Sequence, residues 1–295
     1  MNPDRSDDLR DSSARPRVML LGSDQPSVQE ALTRVRPLIE KHAEIVCEDF
    51  TFTQDLSRVE SDLAVVLGGD GSILRSARQM GPHQRPVVGV NLGKLGFLAD
   101  LSVEKLLSVF ADVCAGNCTI VEHLMLSCSV IGKDGQVLAE RLGLNEAAVL
   151  GGPPYSIMNV DLYVDAELVT TYSCDGLIIS TPVGSTAHSL SAGGPILRKN
   201  LQAFVVSPIS PHTLTVRPVV DTADRVYEMV VQEPHVDTAV VVDGETLHNL
   251  TPTDRVVVRR AEPQFKLVEV AGHNDYRTLR KKLGWGGRIQ QMERD

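Results

Sequence analysis

Apolar positions recur in two rhythms along this chain, and the rhythm changes near its middle. Arg17-Val18-Met19-Leu20-Leu21-Gly22 is an apolar run that predicts a buried strand. Val28, Leu32, Val35 and Ile39 then fall at helical spacing, predicting a helix from about Ser27 to His42 that Pro37 ends early or kinks. Glu44-Ile45-Val46-Cys47, Leu63 to Leu67 and Pro86 to Asn91 predict three more strands. Ser102 stands as N-cap before Val103, Leu106, Leu107, Phe110 and Val113, again at helical spacing. Strands alternating with helices predict a parallel sheet flanked by helices.

From Thr119 to about Val270 the chain is rich in Val, Ile, Thr and Leu, with turns every ten or so residues. Gly132-Lys133-Asp134-Gly135 and the stretch Tyr163 to Val169 predict hairpins. Glu228 to Val231, Ala239 to Val242 and Arg255 to Arg259 predict further strands, so the second half reads as an all-β sandwich. Tyr276 to Leu283 predicts a short basic helix returning to the first domain. The expected organisation is a flexible tail over 1–15, an α/β domain over 16–118, an all-β domain over 119–270, and a C-terminal segment over 271–295 packing on the first domain.

Composition narrows the function. Hydrophobic residues make up 42% of the 295, enough for a sizeable core. The formal net charge of -9 makes nucleic acid a poor partner, because binding a phosphate backbone needs a basic face. Anionic substrates then require positive potential supplied locally, by Mg²⁺, helix ends or a few basic side chains. The five cysteines form no CxxC pair and the eight histidines no HExxH, so a dedicated metal site is not expected. Free thiols fit a reducing cytoplasm. No apolar run reaches the roughly 18 residues of a membrane span, and no secretory signal is visible.

The chemistry concentrates at Leu67-Gly68-Gly69-Asp70-Gly71-Ser72, between a predicted strand and a predicted helix. Glycines let a phosphate or sugar approach the backbone, and the helix start beyond favours an anion. An acid in such a turn fits phosphoryl transfer, as base or metal partner; alone, the same turn also serves as an ordinary helix cap. Four other segments gather polar residues and glycines. Asn91 to Phe97 leaves a strand end, where ligands bind in open parallel sheets. Asn145 offers an amide to a base edge and Glu146 a carboxylate to a sugar hydroxyl. Asp175-Gly176 precedes a buried strand, and the hydroxyl-rich Ser180 to Pro195 loop follows it. Val242-Asp243-Gly244-Glu245 predicts a β-turn. No Gly-x-Ser-x-Gly elbow supports a serine hydrolase, and no Gly-x-Gly-x-x-Gly turn after the first strand supports a dinucleotide oxidoreductase.

In order, Gly68-Gly69-Asp70-Gly71, Asn91-Leu92-Gly93 with Gly96-Phe97-Leu98, Asn145-Glu146, Asp175-Gly176, Ser180-Thr181-Pro182, Gly184-Ser185-Thr186-Ala187 and Asp243-Gly244 resemble the NAD kinases of the bacterial type, over roughly residues 17 to 285. The glycine turn alone is shared with lipid kinases of the diacylglycerol type. The resemblance implies transfer of the γ-phosphate of ATP, or of polyphosphate, to the 2′-hydroxyl of the adenosine ribose of NAD, with Asp70 as base and Mg²⁺ bound through the donor phosphates. It further implies that Gly71 backs the base and that Arg75, a candidate phosphate contact, and Phe97 lie in the site. Asn145, Glu146 and Asp175 face the dinucleotide, and Thr186, Ala187, His188, Ser189 and Ser191 line its adenosine side. Glu245 falls where the family often has Gln or Asn, His188 where Tyr is usual, and Val183 where Thr is usual. His188 brings a group that titrates near neutrality and implies pH-sensitive affinity. A homodimer or homotetramer built through the β domain is implied as well. The rivals are a lipid kinase and a non-catalytic NADP-sensing module.

Overall fold

The computed structural model describes residues 15–93, 95–153, 157–213, 215–270 and 275–285. The chain begins with β1 (Arg17–Gly22), α1 (Pro26–His42), β2 (Glu44–Asp49), β3 (Leu63–Leu67), α2 (Asp70–Met80), β4 (Val87–Asn91), β5 (Leu101–Ser102), α3 (Val103–Cys114) and β6 (Thr119–His123). There follow β7 (Leu126–Ile131), β8 (Val137–Gly143), β9 (Glu146–Leu150), β10 (Met158–Val164), β11 (Glu167–Cys174) and β12 (Gly176–Ser180). A single 3₁₀ turn (Gly184–Thr186) and the short α4 (His188–Ser191) lead to β13 (Ala203–Ile209), β14 (Val219–Thr222), β15 (Tyr227–Val231), β16 (Ala239–Val242), β17 (Glu245–Asn249), β18 (Arg255–Arg260), β19 (Phe265–Glu269) and α5 (Asp275–Leu283).

The first sheet has the order β2-β1-β3-β4-β19-β6, with β5 beside β4. Neighbours among β1 to β4 run parallel. Burial on both faces explains the unbroken apolar runs. Val18, Leu20, Val65 and Val88 face α1 and α3, while Met19, Leu21, Ala64 and Val66 pack with Ile73, Ala77 and Met80 of α2. Helix α1 continues through Pro37 to His42. Pro37 and Thr33, whose carbonyl loses its partner, both lie on the exposed face, where water can satisfy that carbonyl. Buried Val35 and Ile39 hold the helix on the sheet on either side. Ser102 caps α3 as expected, its Oγ accepting from Lys105 N at 3.2 Å.

Two six-stranded antiparallel sheets, β11-β10-β15-β18-β7-β8 and β14-β13-β12-β9-β16-β17, enclose a second core. This is the expected sandwich. Two strands expected in it belong elsewhere: β6 and β19 pair with each other and extend the first sheet. The expected borders at 118/119 and 270/271 therefore do not follow sheet membership. A short Val-rich strand suits either sheet locally, and only its partners decide which it joins. The tail expected over 1–15 lies outside the described residues apart from Arg15. Of the segment 271–295, the described part is α5 with Gly284 and Trp285.

Candidate active site

The turn after β3 is built for close approach. Gly68 adopts φ +144°, and a Cβ there would collide with the Ser72 side chain. Gly69 is the N-cap and Asp70 opens α2. The Asp70 carboxylate turns back onto the loop after β4 and accepts three backbone N–H groups: Phe97 N at 2.8 Å on Oδ2, and Leu98 N at 2.9 Å and Ala99 N at 3.0 Å on Oδ1. Gly96 lies against this clamp. A Cβ on it would strike Asp70 Oδ1 and stand 2.9 Å from the Ala99 carbonyl oxygen. Gly96→Ala is therefore expected to displace the Asp70 carboxylate, lowering turnover by roughly tenfold or more while the far sandwich keeps its fold. Activity and far-UV circular dichroism together check this; parent-like turnover would show that the loop yields freely.

Gly69 and Gly71, on either side of Asp70, line a cleft of about 430 Å³ shared with Ser23, Phe52, Arg75 and Gly93. It opens at the carboxyl ends of the parallel strands, beside the start of α2, where an anion is favoured. The Arg75 guanidinium lies 5.4 Å from the Phe52 ring centroid, which fixes its head at the cleft.

A second carboxylate clamp holds the other side. Asp243 and Gly244 form the β16–β17 turn with φ of 49° and 81°. Asp243 reaches back to accept Leu144 N at 2.7 Å, Asn145 N at 2.8 Å and Glu146 N at 3.1 Å. The Asn145 carbonyl accepts Thr181 N at 2.8 Å, so the 144–146 strand entry and the loop after β12 are tied together. Gly184 lies too close to the Asn145 carbonyl to carry a Cβ. Leu144 and Val183 join Ile73, Met80 and Leu98 in one apolar cluster beneath the site, so both clamps stand on a common core.

Glu146 is buried at 8% exposure, and its Oε2 has no partner among the described residues. Burial first, then the nearby Asp243 carboxylate, push its carboxyl up to about 8, against a lowering contribution from the His188 amide that donates to it. Burial also raises Asp243, opposed by its three amides. Those amides favour Asp243 as an anion, whereas Glu146, whose Oε2 has no partner among the described residues, is the member of the pair whose proton burial favours.

The predicted residues do not all converge. Thr186 and Ala187 are half-buried, and His188 and Ser191 are exposed. Ser189 is fully buried and its Oγ meets Ser207 Oγ at 3.0 Å. Ser185, in the same hydroxyl-rich loop, donates to Pro182 O at 2.6 Å. Glu245 pairs with Arg78 of α2, bridging the two sheet systems. Asp175 stands at the opposite end of β12 from Ser180, which pairs with Glu146, and its Oδ1 lies 3.8 Å from His212 Nε2. At about 3.4 Å per residue, the strand places it well over 10 Å from the Glu146 end. Sequence reasoning missed three cations and one acid: Arg78, Lys199, which donates to Phe97 O at 2.8 Å, Lys282, and the reach of Asp243. Asp243-Gly244 was the one local signal, and it showed only a turn.

Comparison with known proteins identifies the family. The ATP-NAD kinase N-terminal domain matches residues 22–118 and the ATP-NAD kinase C-terminal domain matches residues 144–270. An NAD kinase of Rhodopirellula baltica is 57% identical over 275 residues, spanning 93% of this chain and 88% of that protein. An NAD kinase of Nitrosomonas eutropha is 39% identical over 80% of this chain and 79% of its own. The yeast NADH kinase complexed with NADH shares the fold, with a TM-score of 0.84 at 24% identity over 93% of this chain and 89% of that one. An NAD kinase from Archaeoglobus fulgidus in complex with ATP superposes with a TM-score of 0.69 at 26% identity, over 91% and 97%. With both domains matched in order and the first of these relatives more than half identical, the chain belongs to the NAD kinase family, the enzymes that phosphorylate NAD to NADP.

Proposed function

We propose that Asp70 is the base that takes the proton of the adenosine ribose 2′-hydroxyl of NAD as that oxygen attacks the γ-phosphorus of ATP. One observation carries this reading: Asp70 stands between two regions. On one side is the glycine cleft at Gly69, Gly71 and Arg75; on the other is the Phe97 loop, which meets the Thr186 side of the β domain. A carboxylate has about four acceptor positions and three are taken by amides, two of them on Oδ1. Oδ2 keeps the open position and is the atom we assign to the proton. The 2′-O–H bond breaks as the new O–P bond forms, and the β,γ-bridging oxygen leaves with ADP. The amides of the turn and Arg75 hold the donor phosphates, and positioning together with charge neutralisation supplies most of the acceleration.

Mg²⁺ carried on the donor phosphates would neutralise their charge there. Asn145, Glu146, Thr186, Ala187, His188 and Ser191 take the dinucleotide. Asp175 can serve such a site only from a second copy of the chain, consistent with a homodimer or homotetramer. Exposed apolar side chains on edge strands, Leu168 and Val169 on β11 and Val219 and Val220 on β14, support self-association. The five cysteines are free thiols, and a reducing cytoplasm is the location we propose for the chain. Among the described residues no helix is long and apolar enough to cross a membrane. The direct test is NADP⁺ formation from NAD⁺ with Mg-ATP or polyphosphate. Product with polyphosphate as well as Mg-ATP would widen the donor range, and product with Mg-ATP alone would confine it.

Glu146 makes this site sensitive to pH. The folded chain keeps a proton that the unfolded chain releases near the ordinary carboxylate value of about 4.3. Its contribution to stability is therefore greatest in acid and is lost as pH rises through about 8. Between about pH 5 and about pH 8, the parent is expected to lose more stability than Glu146→Gln. NAD affinity should change over the same window, less so in Glu146→Gln. Parallel stability curves and flat affinities in both proteins would remove the assignment.

A further inference from the structure

The Asp70 carboxylate has a fourth neighbour that neither the glycine turn nor the Phe97 loop supplies. Lys282, in the last turn of α5, places its Nζ 3.7 Å from Asp70 Oδ2. This is the oxygen that holds one amide rather than two. The same ammonium lies 4.4 Å from the centroid of the Phe97 ring, and the Phe97 amide is the one bonded to Oδ2. One cation thus lies within ion-pair distance of the proton-accepting oxygen, without filling its open acceptor position, and over the ring of the residue that aims it.

The helix that carries Lys282 is seated. Tyr276 is stacked under the Arg198 guanidinium at 5.2 Å and receives a hydrogen bond from it at 3.3 Å. Thr278 is buried, and with Leu279 it lines a pocket shared with Val183 and Leu197 of the β domain. Lys282 side-chain exposure is 30%, so the ammonium is neither free in solvent nor sealed away. Lys281, its neighbour in sequence, is likewise exposed, so the contact with Asp70 rather than burial sets Lys282 apart.

We infer that Lys282 is a positioning residue for the phosphoryl transfer. It rests on the reading of Asp70 as base. The ammonium holds Oδ2 toward the 2′-hydroxyl and offsets the negative charge that Asp70 would otherwise present to the incoming γ-phosphate. Lys282 transfers no proton and remains an ammonium throughout. Its effect falls on the chemical step, because the charge it screens matters most when hydroxyl, carboxylate and phosphoryl group converge.

The test is steady-state kinetics of the full chain with NAD⁺ and Mg-ATP. Lys282→Met keeps an apolar stem over Phe97 and removes the charge. It is expected to lower kcat by on the order of tenfold to a hundredfold, with KM for NAD⁺ within about twofold of the parent. Lys282→Arg should recover most of the loss, and Lys281→Met should behave as the parent. In the Asp70→Asn background Lys282→Met should cost little more, because its target is gone. A parent-like kcat in Lys282→Met overturns the inference and leaves the Asp70 reading standing. A loss that Arg does not recover, or that Lys281→Met matches, also overturns it. If Asp70→Asn itself keeps parent activity, the Asp70 reading fails first and the positioning role fails with it.

Discussion

Asp70→Asn is expected to lower NADP⁺ formation at least roughly a hundredfold, the scale of a positioned general base. The substitution preserves shape but not chemistry. An amide oxygen can still accept from Leu98 and Ala99, as Oδ1 does now at 2.9 and 3.0 Å. The amide nitrogen then faces the Phe97 N–H, donor against donor, where Oδ2 now accepts at 2.8 Å. A stability loss of about 1–3 kcal/mol should accompany the loss of turnover. Kinetics must therefore be read on protein shown to be folded at the assay temperature. Because the change falls on the base, kcat should drop far more than KM for NAD⁺ rises. Turnover within about tenfold of the parent, in folded protein, would leave Asp70 as a loop clamp and nothing more.

The second large effect is structural and lies away from the reacting atoms. Asp243→Ala removes the acceptor for three backbone amides at once, those of Leu144, Asn145 and Glu146. Each unpaired donor costs about 1–3 kcal/mol, so a loss of roughly 3–6 kcal/mol is expected after some relief by entering water. That is a large part of the about 5–15 kcal/mol that holds a typical domain together. The left-handed backbone at Asp243, φ 49°, adds to the cost because alanine occupies it poorly. Chemical denaturation should show the drop, and NAD affinity should fall with it as Asn145 and Glu146 lose their register. A loss under about 1 kcal/mol would mean that water replaces the carboxylate fully.

The two clamps show why the site was only partly legible. The glycine turn was readable because its conformational demand is local: Gly68 needs its positive φ, and the strand and helix on either side declare themselves by apolar spacing. Ser102 was readable as a cap for the same reason. The destination of each carboxylate was not. Asp70 binds amides 27 to 29 residues away, and Asp243 binds amides 97 to 99 residues away. Nothing in the local pattern of either acid encodes those partners. Ser189 and Asp175 show the same limit. A hydroxyl in a polar loop and an acid before a glycine are plain in the sequence, but strand pairing alone sets one against Ser207 and the other at the far end of β12 from Ser180.

The sequence by itself determined the period of each element, the caps and turns between them, the parallel and antiparallel halves, and the ordered motifs that mark the family. Those depend on contacts within a few residues, where spacing and residue type suffice. Only the tertiary structure decided that β6 and β19 complete the first sheet, that Asp243 holds Asn145 and Glu146, and that α5 brings Lys282 to Asp70. These are pairings between distant segments, selected by which packing buries the most apolar surface and leaves the fewest polar groups unpaired, and no stretch of sequence contains that comparison.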